Sequence, residues 1–409
     1  MTLAFVALGL DHRHIYGMTE NMLRIGARCL GYWTQGRPHP LAGCVKRFAD
    51  LQRFATLDQA LDAGADLALI SAIPAQHLAA YQALPEFDVV MLVDQDPLRL
   101  DALAVDGIFR ATDIHAALEA DVDLIDICLP PHLHAPVAIE ALKAGKHVIC
   151  EKPLATSLAQ VDAIRNAAET AGRRVFPVFQ YRFGPGFAQL EALRRAGLTG
   201  APRMAAIETH WNRGADYYAV PWRGTWAGEK GGAMLGHAIH AHDLLCHFMA
   251  PVTGVTARLA TLVNDIETED TAALILDLER GAMATSSVIL GTASDETCLR
   301  FVYEHLTATS GTTPYAPADG PWTFRARDPA HQDRVDAAVA QTLGPPSGFL
   351  GFLTEVARAV TGQSHRAVSF ADGAASIALV TAIYESHRSS ARVALPMRAE
   401  HPLRQGWQP

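Results

Sequence analysis

The sequence predicts an α/β protein: a doubly wound parallel sheet, partly duplicated, followed by an α+β domain on a large, open, mainly antiparallel sheet. Three observations carry this. Short apolar runs alternate with helical spacing through the first part of the chain, the pattern of repeated strand–helix units. A segment within that region repeats an earlier one. Beyond Tyr181 longer runs of alternating polarity appear at 204–210, 271–278 and 283–290, as expected for strands with one buried face.

Residues 3–8 form an apolar run ending at Gly9, which reads as a buried parallel strand feeding a turn. Helical spacing follows to about Arg24, then a strand at 29–33, helices near 41–50 and 57–63, and a strand at 67–71. The strand at 89–93 ends in Asp94. A helix near 97–104, a strand near Ile108, a helix near 113–120 and a strand at 124–128 follow. Residues 55–61 resemble 111–118, and 66–74 resemble 123–130, turn residues included. Residues 1–84 therefore read as a partial Rossmann copy. Residues 85–180 read as the nucleotide-binding Rossmann domain, a second copy without its first strand. A helix near 76–84 either closes the first copy or opens the second. Strands at 147–150 and 175–179 enclose a helix near 157–171. Residues 181–409 read as a substrate-binding and oligomerisation domain, with a long loop at 311–330, helices near 347–361 and 371–388, and a strand at 392–395.

The 409 residues exceed one typical domain core, and 49% apolar with 19% charged residues suits packed globular domains. A formal charge of −9 without a basic patch argues against nucleic-acid or anionic-membrane partners. The pairs Arg173-Arg174 and Arg194-Arg195 read as helix ends or solvated faces. The six cysteines are scattered, with no C-x-x-C, which suits a reducing, cytoplasmic setting and no zinc ribbon. The first residues lack a basic region and cleavage site, and no apolar run reaches membrane-spanning length.

Two clusters carry chemistry. In Gly145-Lys146-His147-Val148-Ile149-Cys150-Glu151-Lys152-Pro153 a buried strand ends in an acid, a lysine and a proline. Carboxyl ends of strands face the ligand crevice in open α/β sheets, and a lysine there can stabilise a developing alkoxide. From spacing alone, a surface lysine before a turn-forming proline reads slightly better. In the second cluster, Gly231 and Gly232 lead into a helix carrying His237, His240, His242, Asp243 and His247. Helical spacing places His237, His240 and His247 on one face, and an imidazole suits removal of a hydroxyl proton near neutral pH. Alternatives are a metal site from His237, His240 and Asp243 or His247, or histidines satisfied in the core. Trp211-Asn212-Arg213, Tyr217-Tyr218 and Trp222–Trp226 form an aromatic and basic stretch that suits a polyhydroxylated ring, a sheet cover or a subunit contact.

At these clusters the sequence resembles the oxidoreductase family named for glucose–fructose oxidoreductase, inositol dehydrogenase and a rhizopine-catabolism protein (Gfo/Idh/MocA). The resemblance also rests on Val93-Asp94-Gln95-Asp96-Pro97, on Leu129-Pro130-Pro131-His132-Leu133-His134-Ala135-Pro136 and on Tyr181-Arg182-Phe183-Gly184-Pro185. It implies a Rossmann domain before an α/β domain with a large open sheet. It implies that Lys152 is the catalytic lysine and His240 the proton-accepting histidine, with Asp243 orienting the site. It places Pro130, His132 and Glu151 beside the nicotinamide half of the cofactor. Arg182 and Trp211, with Asp243, are the expected substrate contacts. A homodimer or homotetramer through the open sheet face is implied as well.

Two departures stand out. Family members usually carry an aspartate four residues before the histidine. Here Gly236 stands there, and His237 is the candidate to replace it. The dinucleotide turn Gly9-Leu10-Asp11-His12-Arg13-His14 keeps only the first glycine, and 71–76 keeps none. Asp94 sits where a carboxylate accepts from ribose hydroxyls and repels a 2′-phosphate, which favours NAD over NADP; it can also cap the next helix. The expected activity is hydride transfer between NAD(H) and a hydroxyl-bearing carbon of a sugar or cyclitol. The alternatives are an NAD-dependent glycosidase of the same fold and a non-catalytic nucleotide-binding relative.

Overall fold

The computed structural model describes residues 4–8, 28–33, 67–70, parts of 45–59, and 73–409 apart from 103–106, 221 and 345. The chain divides into two compact units, Met1–Pro85 with Ala215–Val220, and Glu86–Gly214 with Pro221–Pro409.

In the first unit β1 (Ala4–Leu8), β2 (Arg28–Trp33) and β3 (Leu67–Ile70) form a parallel sheet in the order β2-β1-β3. Parallel neighbours require long crossovers, in keeping with the spacing between these runs. Helix α1 (Ile73–Gln82) follows. The helices expected near 41–50 and 57–63 lie largely outside the described residues, as do Gly9 and the turn after it.

The second unit opens with β4 (Met91–Val93) and β5 (Phe109–Ala111), paired in parallel, with α2 (Pro97–Ala102) and α3 (Ile114–Glu119) following them. A separate parallel sheet holds β6 (Leu124–Ile127), β7 (His147–Cys150) and β8 (Val175–Pro177), with β7 central. Val148, Ile149 and Cys150 are each 0% exposed, which explains why β7 reads as a continuous apolar run. Between the strands lie α4 (Pro131–Lys143) and α5 (Leu158–Ala171). Helix α4 starts on a proline, whose missing N–H costs nothing in the first turn. Helix α5 is capped by Ser157, which accepts from the Gln160 N–H, and ends at Gly172 in the left-handed conformation.

After α6 (Pro185–Arg195) comes an eight-stranded sheet. Its strands are β9 (Pro202–Asn212), β10 (Val252–Ala260), β11 (Thr271–Leu278), β12 (Met283–Ile289), β13 (Gly291–Tyr303), β14 (Leu306–Thr309), β15 (Thr323–Ala326) and β16 (Val393–Ala394), in the order β15-β14-β13-β9-β12-β11-β10-β16. The pairings are antiparallel except β12 with β9. Ala272, Leu274, Leu276 and Leu278 are buried while Ala273 and Ile275 face outward, the period of two that the sequence shows. The remaining helices are α7 (Ala215–Tyr218, in the first unit), α8 (Ala233–Gly236), α9 (Ile239–Phe248), α10 (Gln332–Ala340), α11 (Gly348–Val360) and α12 (Phe370–Ser389). Helix α9 packs on β9, and α12 on β10.

The loop expected over 311–330 instead contains β15, which pairs with β14. Only Phe324 of that strand is buried, so the surrounding glycines and prolines outweigh its signal. Helix α10 buries only Val335 and has no legible stripe. Among the described residues no helix is long and apolar enough to cross a membrane.

Candidate active site

The site grows from the carboxyl end of β7. Glu151 N–H donates to Ile127 O at 2.9 Å, extending the pairing with β6 past the last strand residue. The Lys152 N–H then donates to Glu151 Oε2 at 3.0 Å, and the Lys152–Pro153 peptide is cis. Buried His134 of α4 lies between two carbonyls, with Nδ1 2.6 Å from Pro153 O and Nε2 2.6 Å from Leu129 O. One imidazole thereby clamps the loops after β6 and β7. Burial pulls its basicity down, opposed by the two carbonyls and Glu151.

Lys152 reaches from β7 to the histidine segment, and its Nζ donates to Gly236 O at 2.9 Å. Burial lowers its pKa; Glu151 and Glu229 oppose this, while Arg223 and Arg213 add to it.

The histidine segment is broken, not one continuous helix. Helix α8 ends at Gly236 and α9 begins at Ile239, with His237 between them at φ −125° and ψ −59°. The expectation that His237, His240 and His247 share one helical face is therefore corrected. His237 meets the edge of Trp211, ring centroids 5.5 Å apart. His240 stacks on Tyr181, with centroids 4.2 Å apart and planes 14° from parallel, and meets Phe179 edge-on at 5.8 Å. Burial first, then the charges of Arg213, Lys152 and Arg223, holds His237 well below the usual histidine range. His242 pairs with Ser286 Oγ at 3.0 Å, and burial lowers its pKa to about 4. His247 lies edge-on to Phe248, with its pKa lowered to about 3 by burial and by Arg182 and Arg194.

The entry to this segment is fixed by Glu269. Its carboxylate accepts from the Gly232 N–H (3.1 Å), the Met234 N–H (3.0 Å) and the Tyr384 hydroxyl (2.8 Å). Burial raises its pKa to about 7. A Cβ at Gly232 would lie 2.0 Å from Glu269 O, so only glycine permits the approach.

Arg182 and Asp243, both expected to meet substrate, face each other. Nε donates to Oδ2 at 2.7 Å and Nη2 to Oδ1 at 2.6 Å, with the two side chains 8% and 3% exposed. Asp372 adds a 3.0 Å contact. Burial disfavours the Arg182 charge, but the two carboxylates outweigh it and hold the guanidinium protonated. Asp243 is thus committed to Arg182, which also removes it from the metal set considered from the sequence. Trp211 Nε1 donates to Thr297 Oγ1 at 3.1 Å, and its ring lies beneath the Arg213 guanidinium, 5.0 Å from Cζ. Arg213 is in turn held by Asp295 at 3.1 Å and by the Tyr315 hydroxyl at 3.0 Å. Tyr217 and Tyr218 belong to the first unit.

On the cofactor side, Asp94 directly follows β4, and its Oδ1 accepts from the Asp96 N–H at 2.9 Å, while Oδ2 lies 3.8 Å from Arg99. A turn ahead of α2 therefore occupies one oxygen, and the side chain is 34% exposed. Pro130 is the N-cap of α4 and His132 is exposed on its first turn. Gly9 lies outside the described residues. Asp94, Pro130, His132 and Glu151 thus stand at the carboxyl ends of parallel strands, the edge from which such sheets bind dinucleotides. His134, Tyr181, Glu229 and Glu269 were not singled out from sequence. His134 and Tyr181 lie inside stretches quoted for the resemblance, but only their partners reveal what they do.

Residues 70–179 match the model of an oxidoreductase family with an NAD-binding Rossmann fold, and residues 187–309 match that family's C-terminal domain. The chain is 33% identical over 173 residues to the uncharacterized oxidoreductase YrbE of Bacillus subtilis, an alignment covering 41% of this chain and 48% of that protein. It is 30% identical over 201 residues to myo-inositol 2-dehydrogenase of Thermotoga maritima, covering 47% and 57%. The chain thus spans about half the length of these curated relatives. The crystal structure of the WlbA dehydrogenase of Bordetella pertussis, in complex with NADH and UDP-GlcNAcA, aligns with a TM-score of 0.67 at 25% identity, covering 97% of this chain and 100% of that one. With both of the family's domains matched in order, the chain belongs to the Gfo/Idh/MocA family of oxidoreductases.

Proposed function

We propose that this chain transfers a hydride between NAD(H) and a hydroxyl-bearing carbon of a sugar or cyclitol. The observation that carries the reading is the Lys152–Gly236 hydrogen bond, which brings the end of β7 to the segment bearing His237 and His240. NAD, when bound, supplies the hydride acceptor. Asp94 accepts from the ribose hydroxyls and repels a 2′-phosphate, favouring NAD over NADP. Pro130, His132 and Glu151 flank the nicotinamide half.

His240 takes the hydroxyl proton on a ring nitrogen, its plane set by Tyr181. Lys152 has three N–H donors, so the bond to Gly236 O leaves capacity to hold the substrate oxygen. Burial eases loss of its proton, which suits a group that steadies an alkoxide. His237 stays neutral and contributes a hydrogen bond, not a charge. Arg182 and Asp243 act by positioning, tying the turn after β8 to α9. Trp211 offers an aromatic wall for a polyhydroxylated ring.

We place the dinucleotide in residues 85–180, with 1–84 a partial copy and 181–409 the substrate-binding and oligomerisation domain. A homodimer or homotetramer through the outer sheet face is supported by Met204 and Met283, paired in register at 38% and 46% exposure, and by Ile275 at 51%. The scattered cysteines support a cytoplasmic setting. Absorbance of NADH at 340 nm across a panel of sugars, cyclitols and glycosides tests the reading. Net NADH with a free polyol supports it, and a panel without turnover contradicts it.

A further inference from the structure

Gly236 leaves a space beside the lysine. Its carbonyl receives the Lys152 ammonium, and a Cβ added at Gly236 would find one near neighbour, Glu229 Oε1 at 3.7 Å. A carboxylate therefore already stands where a longer side chain at 236 would extend. It is held there from the other side: Glu229 Oε2 accepts from the Gly224 N–H at 2.7 Å, and Oε1 lies 3.8 Å from Arg223 Nη1. The Glu229 side chain is 6% exposed. His237, the candidate substitute read from the sequence, is turned to Trp211 and stays neutral, so it cannot supply a negative charge.

We propose that Glu229 is the positioning carboxylate of Lys152, delivering from the loop before α8 the negative charge that an acidic residue at 236 would otherwise deliver. The inference rests on the hydride-transfer reading for its catalytic meaning, but not for its geometry. A buried ammonium is held charged only by nearby opposite charge. The groups acting on Lys152 are Glu151 and Glu229, which favour its charge, and Arg223 and Arg213, which oppose it. Burial raises the Glu229 pKa, and the Gly224 N–H, Arg223 and Lys152 oppose it by favouring the anion. Each of the two groups thus stabilises the charge of the other.

The test compares Glu229→Gln, Gly236→Asp and the double variant. Gln can still accept from the Gly224 N–H, and Gly236 has room for a Cβ and a φ open to any residue. The first readout needs no turnover: the rate at which acetic anhydride acylates Lys152 at pH 8, followed by mass spectrometry of the intact fold. Loss of the neighbouring charge should make Lys152 about tenfold more reactive in Glu229→Gln, and Gly236→Asp in the same chain should return it to near the wild-type rate. The second readout is the pH profile of kcat/KM with an oxidised polyol, which should shift in Glu229→Gln and return in the double variant. Unchanged Lys152 reactivity in folded Glu229→Gln, or no return in the double variant, would overturn the proposal. If Glu229→Gln does not fold, Gly236→Asp alone decides: a second carboxylate should slow acylation about tenfold, and an unaltered rate would overturn it. If the wild-type chain oxidises no polyol, the hydride-transfer reading fails while the acylation readout still decides the pairing.

Discussion

Lys152 Nζ and the Gly236 carbonyl lie 2.9 Å apart, joining the end of β7 to the break between α8 and α9. Lys152→Ala should therefore lower kcat by roughly 100- to 1000-fold, the size of effect seen when a donor to a developing oxyanion is lost. NADH affinity, measured by fluorescence titration, should stay near the wild-type value. A rate within about twofold of wild type would remove Lys152 from the mechanism.

His240→Ala should reduce the rate by roughly 100-fold or more at pH 6 and by less at pH 10, where hydroxide replaces the missing base. The pH–rate profile checks this. An equal loss across the whole range would assign His240 to packing on Tyr181 alone.

Arg182→Met leaves Asp243 buried without its bidentate partner and should destabilise the fold by about 3–5 kcal/mol. Arg182→Met combined with Asp243→Leu should cost clearly less than the sum of the single changes, because the stranded charge is gone. Urea denaturation of the four proteins reads this, and strict additivity would deny the pair its coupling.

His242 gives a pH signature of stability. Its folded pKa of about 4 lies below the unfolded value, so between those two values the unfolded chain binds a proton that the folded chain does not. Stability from this group is intact above about pH 6.5 and is lost as pH falls towards 4, by up to about 3 kcal/mol. Relative to His242→Gln, the wild-type chain should therefore lose stability on acidification. A stability difference independent of pH would contradict the assignment.

Asp94→Ala should narrow the preference for NAD over NADP by about tenfold, since a carboxylate facing a 2′-phosphate is removed. The ratio of the two cofactors' kcat/KM measures it. An unchanged ratio would move the ribose site to the first unit.

The alternation of strands and helices, the central apolar β7 and the alternating β11 are legible because each has a strong period. Strands such as β15, with one buried residue, and helix α10, with one, carry no such period. At the site, Lys152 and His240 are legible as residues, but their surroundings are not. His237 at the break packs on Trp211, and the entry to α8 is held by Glu269, 32 residues beyond His237 in the chain, so neither contact can be read from local sequence. The Arg182–Asp243 pair shows the same limit. Either residue looks like a substrate ligand in sequence, and only the fold shows that each satisfies the other. Likewise Glu229 carries no motif and becomes notable only through its distance from Gly236.

The most direct test is NADH formation from NAD and a panel of sugars and cyclitols carrying deuterium at each ring carbon in turn, run with wild type, Lys152→Ala and His240→Ala. Wild type should move deuterium from one defined carbon to the cofactor, and both variants should lose most of that transfer. Deuterium transfer at the wild-type rate in both variants, or none in wild type with any substrate, would contradict it.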